Sequence, residues 1–249
     1  MRRGLVPTAA GREFYQEVRG FLAHAAELEE TARNAGGAMV GRLSVGCFST
    51  LAPFHLPSLL TEFERRYPDV RVQIDEAEHA QLKQALREGD CELALMYGYD
   101  LDEDIDRITI AESVPYVIVS VQHRLAHKNR VWLADLAEDP MVLLDLPHTA
   151  AYFTSLVASV GVQPRIRFRS PGYETVRALV AHGHGYALLN QRPQEETTYD
   201  GERAVALELR DNPPALEIVV AWMRGIRLTR RAQAFLTMAG QRRAVRKRQ

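Results

Sequence analysis

The sequence predicts an α/β protein of two lobes that is preceded by one long helix. Residues 8–33 carry an apolar stripe with helical spacing, and the chain beyond them alternates between strand-like and helix-like patterns. The 249 residues are 46% apolar and 25% charged, which suits a globular chain with a sizeable core. No apolar run could cross a bilayer, and no signal-peptide core follows the basic first residues. We therefore expect a cytoplasmic protein without a membrane partner.

The leading helix is predicted from steps of three and four between apolar residues. Thr8 is a suitable N-cap, and two glycines at 36–37 end the helix. About 25 residues extend roughly 38 Å at 1.5 Å per residue, which is long for a helix inside a small domain. The helix either docks on its own domain or pairs with its copy in another subunit, and the sequence leaves both open. Its stripe consists of Phe14, Val18, Phe21, Leu22, Ala25, Leu28 and Ala32.

The first lobe begins with a β-α-β-α-β series. Such a series predicts a parallel, doubly wound sheet, and continuous apolar strands indicate that helices cover both faces. The predicted strands are 42–48, 70–74 and 91–97, separated by helices over 56–67 and 80–87.

The second lobe begins with a strand at 114–121. Two lobes joined by two crossings imply a hinged cleft, and such sheets bind ligands at the carboxyl ends of their strands. The segments 204–209, 216–222 and 229–238 have no partner sheet of their own, so we expect them to complete the first lobe. Between these parts we predict a short helix at 132–137, strand 141–146, helix 149–160, strand 165–169, helix 173–182 and strand 186–190.

Several segments carry a family resemblance. Residues 2–12, RRGLVPTAAGR, resemble the wing and linker-helix junction of LysR-type transcriptional regulators, in which a basic wing precedes "L-x-P/L-T-x-A-G". Further segments are similar, in order, to motifs of that family's effector domain. They are GRLSVG at 41–46, the run from Leu56-Pro57 to Tyr67-Pro68, EGDCELA at 88–94 and HGHGYA at 182–187.

The resemblance implies a fold of two periplasmic-binding-protein-like lobes of type II. Members assemble as homodimers or homotetramers, here through residues 8–33 and the effector domain, and bind a small effector without a cofactor. Residues 1–36 would be a wing remnant and dimerisation linker helix, 42–116 plus 192–240 lobe one, 117–191 lobe two, and 241–249 a basic tail. The family's winged helix-turn-helix should precede the wing, yet Met1 stands almost inside it. A truncated chain or a late start codon is therefore expected, with DNA contacted only through the missing domain.

The charge distribution gives the lobes no sign of nucleic-acid binding. The net charge is −1, and the five basic residues of the last nine leave the rest of the chain at about −6. A nucleic-acid-binding domain should instead carry a basic face. The tail itself suits either contact with nucleic acid or a solvated terminus.

The candidate effector-binding residues lie where strands give way to helices. Ser49 and Thr50 follow the first strand, where hydroxyl and N–H groups either cap a helix or bind a carboxylate. The resemblance places this corner in the effector cleft. His148 and Thr149 form a similar corner in the other lobe, with Thr149 as the expected cap and His148 as a donor or simply an exposed side chain. Tyr97 and Tyr99 follow the third strand and either supply an aromatic wall or simply cover the end of the sheet. Gly172 and Tyr173 would close one end of the cleft.

No pattern indicates catalysis. A serine elbow, a paired-carboxylate site and a metal constellation are all missing from the sequence, and Cys47 and Cys91 lie in strand-like runs that suit buried thiols. The leading hypothesis is a ligand-sensing part of a transcription regulator that binds a small organic acid. A solute-binding protein of the same fold is the alternative, and an enzyme on a two-lobed scaffold is the third class.

Overall fold

The computed structural model describes residues 39–246 and scattered positions between Thr8 and Ala25. Its strands and helices run in the order β1 Gly41–Phe48, α1 Ala52–Arg66, β2 Val70–Ala77, α2 His79–Glu88, β3 Leu93–Tyr97, β4 Ile105–Ser113, β5 Tyr116–Ser120, β6 Arg130–Val131, a 3₁₀ turn Leu133–Leu136, β7 Pro140–Leu144, α3 Thr149–Ala158, β8 Arg165–Ser170, α4 Tyr173–Ala181, β9 Ala187–Leu189, β10 Ala204–Leu209, β11 Leu216–Met223 and α5 Arg230–Arg246.

Lobe one combines the described residues up to Glu112 with those from Glu217 onward. Its five-stranded sheet has the order β2-β1-β3-β11-β4. Strand β1 pairs in parallel with both β2 and β3, which confirms the predicted β-α-β-α-β unit. The carboxyl ends of these three strands therefore meet at one edge of the sheet, where the candidate residues of this lobe lie.

Helix α1 shows how the sequence sets the local structure of lobe one. A proline in its first turn suits a helix start, since the missing N–H would have no partner there. Leu56, Leu59 and Phe63 recur at helical spacing and are buried. The Phe63 ring packs edge-on against Phe235 of α5, with centroids 5.2 Å apart. The helix ends before Pro68, as the sequence predicts.

Lobe two comprises Ser113–Leu216. One sheet has the order β6-β10-β5-β9, and a second pairs β7 with β8 in parallel. A parallel bridge between Met141 and Tyr186 connects the two sheets. Helix α4 buries Val176 and Val180 within this lobe.

The expected return of residues 192–216 to lobe one is wrong. Strand β10 pairs antiparallel with β5, from Ala204 opposite Ser120 to Glu208 opposite Tyr116. Its Leu207 and Leu209 are buried, so the strand belongs to the core of lobe two. The chain returns only with β11, which pairs antiparallel with β3. Strand β4, an edge strand of the lobe-one sheet, was not predicted from the sequence.

The prediction for residues 8–33 falls mostly outside the described residues. The described positions from Ala10 to Ala25 are helical. A Cβ added to Gly20 would lie 3.8 Å from Ile226 Cγ2, so this part of the helix reaches lobe one of its own chain. Phe14 and Phe21 nevertheless expose 72% of their surface. Among the described helices, none is long and apolar enough to span a bilayer.

Candidate ligand-binding site

Ser49 and Thr50 lie in a turn between β1 and α1. The turn is closed by a hydrogen bond from the Leu51 N–H to the Phe48 carbonyl at 2.8 Å. Helix α1 begins at Ala52, its cap position is Leu51, and no side chain caps it. The interpretation of Ser49 and Thr50 as helix caps is therefore wrong, because both precede the cap position. Ser49 is partly exposed and Thr50 is buried.

Glu78, which was not predicted from the sequence, lies beside Ser49 at the candidate site. It follows β2 and immediately precedes α2. The Ser49 hydroxyl donates to Glu78 Oε1 at 3.4 Å. Glu78 Oε2 is buried and has no hydrogen-bond partner in the described part of the chain. Burial raises the pKa of this carboxyl, and the hydrogen bond from Ser49 opposes that shift. An acidic residue at the carboxyl end of a parallel strand was the available sequence signal.

An aromatic cluster occupies the same edge of the lobe-one sheet. The Tyr97 ring is only 3% exposed and packs edge-on against Phe48, with centroids 5.7 Å apart. The Tyr99 ring is less buried and lies nearly parallel to the His79 ring at 4.8 Å. Tyr97 and Tyr99 are also stacked at 5.9 Å. Tyr97 thus supports the cluster from inside the lobe, and Tyr99 is the tyrosine that retains accessible surface.

His148 and Thr149 lie between β7 and α3 in lobe two. His148 is exposed, has a φ of 65° and occupies the cap position, so the expectation that Thr149 caps the helix is wrong. Thr149 is the first helical residue, and its N–H donates to the Pro147 carbonyl at 2.8 Å. Its side chain is buried, which leaves His148 as the accessible member of the pair.

Gly172 and Tyr173 begin α4 at the end of β8. Gly172 is the cap residue, and its N–H donates to Ser170 Oγ at 3.2 Å. The Tyr173 hydroxyl donates to the Gln191 carbonyl, which also accepts a hydrogen bond from the Tyr116 hydroxyl at 2.7 Å. Burial raises the pKa of both phenols, for Tyr116 to about 12. The Tyr173 hydroxyl is therefore engaged in the packing of its own lobe.

The predicted residues fall into two groups, one in each lobe. In lobe one the structure brings Ser49, Thr50 and Tyr97 to the sheet edge that also carries Glu78. In lobe two, β7 and β8 are parallel neighbours with Leu144 opposite Ser170, so the corners that follow them share one edge. Each lobe thus presents a strand-to-helix edge of the kind that binds ligands in open α/β sheets.

A separate groove of about 940 Å³ lies in lobe one, away from the predicted residues. Met39, Tyr67, Trp222, Ile226 and Leu228 contribute to its lining. Ile226 is also the residue against which Gly20 lies. The groove is therefore next to the place where the leading helix reaches this lobe.

Both cysteines are buried and free. Cys47 lies within β1, and Cys91 precedes β3. Burial raises the pKa of both thiols, for Cys91 to about 12. Both side chains therefore stay protonated near neutral pH, which fits their prediction as buried thiols.

Residues 36–244 match the family model described as the LysR substrate binding domain. The chain belongs to this family. A hydrogen peroxide-inducible genes activator of Pectobacterium carotovorum subsp. carotovorum is 25% identical over 225 residues, covering 85% of this chain and 74% of that protein. The LysR fold predicted from the sequence is thereby confirmed, and the chain is the effector-binding part of a LysR-type transcriptional regulator.

Solved structures show the same architecture. The C-terminal domain of a probable LysR family regulator from Rhodococcus sp. RHA1 superposes with a TM-score of 0.79 at 35% identity, covering 81% of this chain and 99% of that one. HinK, a LysR family transcriptional regulator from Pseudomonas aeruginosa, superposes with a TM-score of 0.78 at 35% identity, covering 94% of this chain and 80% of that one. The BenM effector binding domain with its effector benzoate superposes with a TM-score of 0.73 at 19% identity, covering 84% of this chain and 95% of that one, which shows the shared fold.

Proposed function

We propose that the chain senses a small molecule bearing a carboxylate, which it binds at the turn between β1 and α1. Ser49 and Thr50 lie directly before the first turn of α1, where the helix dipole favours negative charge. The Leu51 and Phe54 N–H groups already donate to the Phe48 and Leu51 carbonyls, and Pro53 has no N–H, so the hydroxyls of Ser49 and Thr50 are the donors that we assign to the carboxylate. This juxtaposition carries the proposal. Binding would shift the populations of two conformations of the regulator and so alter transcription.

Two structural neighbours support a carboxylate as the effector class. The BenM domain is described with benzoate, and the effector binding domain of QuiR in complex with shikimate has a TM-score of 0.73 at 17% identity. Both molecules are organic acids of modest size, and both are held by proteins of this fold. We propose the same class of ligand, a small organic acid, for the present chain, without assigning benzoate or shikimate itself.

Peroxide sensing is the competing function that the relatives suggest. Several are named as hydrogen peroxide-inducible genes activators. A cysteine that reacts with peroxide needs thiolate character and access to solvent. Cys47 and Cys91 are the only cysteines in the sequence, both are buried, and burial raises the pKa of both. A reversibly bound effector therefore fits this chain better than a thiol-based peroxide response.

We further propose that copies of the chain associate through the leading helix and the effector domain. Phe14 and Phe21 are seven residues apart, which places them on one helix face, and both are largely exposed in the single chain. Burying these rings against a second copy would remove apolar surface from water. DNA contact is assigned to a winged helix-turn-helix of the family type and not to these lobes. Such a regulator would act in the cytoplasm and would not turn over its effector.

The direct test is calorimetric titration with a panel of organic acids that begins with benzoate and shikimate. Ser49→Ala and Thr50→Ala should each weaken binding by roughly tenfold or more, because hydrogen bonds to charged groups contribute about 1.5–3 kcal/mol. Thr61→Ala on the exposed face of α1 is the matched control and should bind like the wild type. Unchanged affinity in both folded site variants would contradict the proposal.

Two further measurements on the purified chain distinguish the proposed function from a solute-binding protein and from an enzyme. A monomer in solution would favour a solute-binding protein, since the regulator is expected to self-associate. Chemical conversion of a bound acid would indicate an enzyme.

A further inference from the structure

Glu78 places an acidic group at the edge where the proposed effector carboxylate would bind. Its Oε1 accepts a hydrogen bond from Ser49, one of the two residues assigned to the effector. No ion pair to Glu78 occurs among the described residues; burial raises the pKa of its carboxyl, and the hydrogen bond from Ser49 opposes that shift. Glu78 is the cap residue of α2, so the positive end of that helix dipole faces its carboxylate, but no cationic side chain of the described chain pairs with it.

The second oxygen of Glu78 strengthens this observation. Oε2 is buried and lacks a hydrogen-bond donor within residues 39–246 and the described helix positions. Buried carboxylate oxygens nearly always have a donor, and an exception indicates a missing partner. A donor brought by a ligand would satisfy Oε2, and a positively charged donor would also neutralise the carboxylate.

A simple organic acid would meet repulsion here. Its carboxylate would approach Ser49 and Thr50, and Ser49 lies within 3.4 Å of Glu78 Oε1. Two carboxylates in one partly desolvated place disfavour each other's ionised form. A positive group on the same ligand removes that cost, because it faces Glu78 while the carboxylate faces the start of α1.

Aromatic rings lie beside Glu78 at the same edge of the sheet. His79, the residue after Glu78, stacks on Tyr99 at 4.8 Å with an angle of 10° between ring planes. Tyr97 continues the stack at 5.9 Å from Tyr99. These contacts turn the ring of Tyr99 towards His79 and Tyr97, so the recognition of a positive group rests on the Glu78 carboxylate.

We propose that Glu78 selects effectors that carry a protonated amino group as well as a carboxylate. This inference rests on the proposed function, since it assigns the second functional group of the same effector. The ligand class is therefore a small zwitterion, with its ammonium at Glu78 and its carboxylate at Ser49 and Thr50. A neutral hydroxy acid, which could also donate to Oε2, is an outcome of the test that would overturn the proposal.

The test uses pairs of acids that differ by one group, titrated calorimetrically into the full chain. Benzoate is compared with 4-(aminomethyl)benzoate and 4-(hydroxymethyl)benzoate, and butanoate with 4-aminobutanoate and 4-hydroxybutanoate. In the better-binding set, the amino acid should bind at least tenfold more tightly than its unsubstituted partner. Equal or tighter binding of the unsubstituted or the hydroxylated acid, compared with the amino acid, would overturn the inference.

Glu78→Gln supplies the decisive variant, because it keeps the shape and the acceptor for Ser49 but removes the charge. It should reduce the preference for the amino compound to less than about threefold, while the unsubstituted acid binds at least as tightly as to the wild type. Glu76→Gln, an exposed carboxylate two residues earlier in β2, is the matched control and should keep the preference. A preference that persists in Glu78→Gln would overturn the inference.

Thr50→Ala distinguishes a failure of the role assigned to Glu78 from a failure of the proposed effector site. If it weakens all three members of a set while Glu78→Gln leaves their ranking unchanged, the effector site is right and the role of Glu78 is wrong. If it changes none of the affinities in a chain with wild-type circular dichroism, the proposed site itself fails.

Discussion

Gly185 lies so close to Pro140 that a Cβ added to it would stand 2.1 Å from the Pro140 carbonyl oxygen. The same carbonyl accepts a hydrogen bond from the Tyr186 N–H at 2.9 Å. This approach leads directly into the bridge between Tyr186 and Met141, which connects the two sheets of lobe two. The glycine therefore allows the backbone contact that joins β9 to β7.

Replacing Gly185 with alanine should destabilise lobe two severely. The new methyl group would clash with backbone rather than with a movable side chain, and the φ of 145° is one that L-residues rarely adopt. We expect a loss of about 3 kcal/mol or more, in the range typical of overpacked or strained sites. Urea denaturation of the wild type and the variant measures this loss in the free energy of unfolding.

Gly183→Ala is the matched control for this prediction. Gly183 has a φ of 78°, but a Cβ there would have no atom within 4 Å. Only the backbone penalty of about 1–2 kcal/mol should remain. Equal losses of unfolding free energy at the two positions would show that the clash with Pro140 adds nothing to the destabilisation.

The strands of this fold could be predicted because most are apolar and lie inside their sheets. β3, β5 and β7 are continuous apolar runs, and all three occur close to the predicted positions. The destination of β10 could not be predicted in the same way. Its apolar residues indicate a strand, but its pairing partner is β5, more than eighty residues earlier in the chain.

The sequence predicted which residues lie at the candidate site, but not which of their side chains contact one another. Ser49 and Thr50 were recognisable because they separate a strand from a helix. The hydrogen bond from Ser49 to Glu78 joins residues 29 apart and depends on the parallel pairing of β1 with β2. Sequence periodicity does not specify which side chains face each other across that pairing, so Glu78 was missed.

The cysteines should be unreactive in the folded protein. Burial keeps both thiols protonated and inaccessible, so maleimide or millimolar peroxide should not modify Cys47 or Cys91 within minutes near neutral pH. Mass spectrometry should find two modified residues only after the chain is unfolded in denaturant. Rapid sulfenic acid formation in the native chain would instead support peroxide sensing.

The edge strands predict how the effector domains associate. Strand β2 is an edge of the lobe-one sheet and exposes Asp75 and Glu76, whereas β8 ends its sheet in lobe two and exposes three arginines. Opposite charges and exposed Ile74 and Phe168 favour contact between the β2 edge of one copy and the β8 edge of another. The arginines are Arg165, Arg167 and Arg169.

Arg167→Glu should therefore weaken self-association by tenfold or more in sedimentation experiments, since like charges would meet at the contact. Combining it with Asp75→Arg should restore part of the lost affinity. Arg210→Glu, at an exposed position near the end of β10, is the control and should leave the oligomer unchanged. Failure of the charge swap to restore association would exclude this pairing of edges.

A surface ion network in lobe one should make stability depend on acid pH. Arg87 Nε lies 2.9 Å from Asp104 Oδ2, and the guanidinium also contacts Asp102. Hydrogen bonds from Arg87 hold the pKa of both carboxyls below its usual value near 4. A depressed carboxyl pKa stabilises the folded state above the unfolded value and loses that effect as the pH falls through the folded value. Both carboxylates are exposed and Arg87 is half-buried, so water screens the interaction.

Arg87→Met should accordingly cost less than about 1 kcal/mol at pH 7. The difference from the wild type should stay constant down to about pH 4 and then shrink on further acidification, as Asp102 and Asp104 become protonated in the folded state as well. Thermal denaturation from pH 7 to pH 3 measures this, with Arg71→Met at an exposed position of β2 as the control. A difference that grows below pH 4 would contradict a stabilising role for the ionised carboxylates, because it would require folded-state carboxyls that bind protons more tightly than the unfolded chain does.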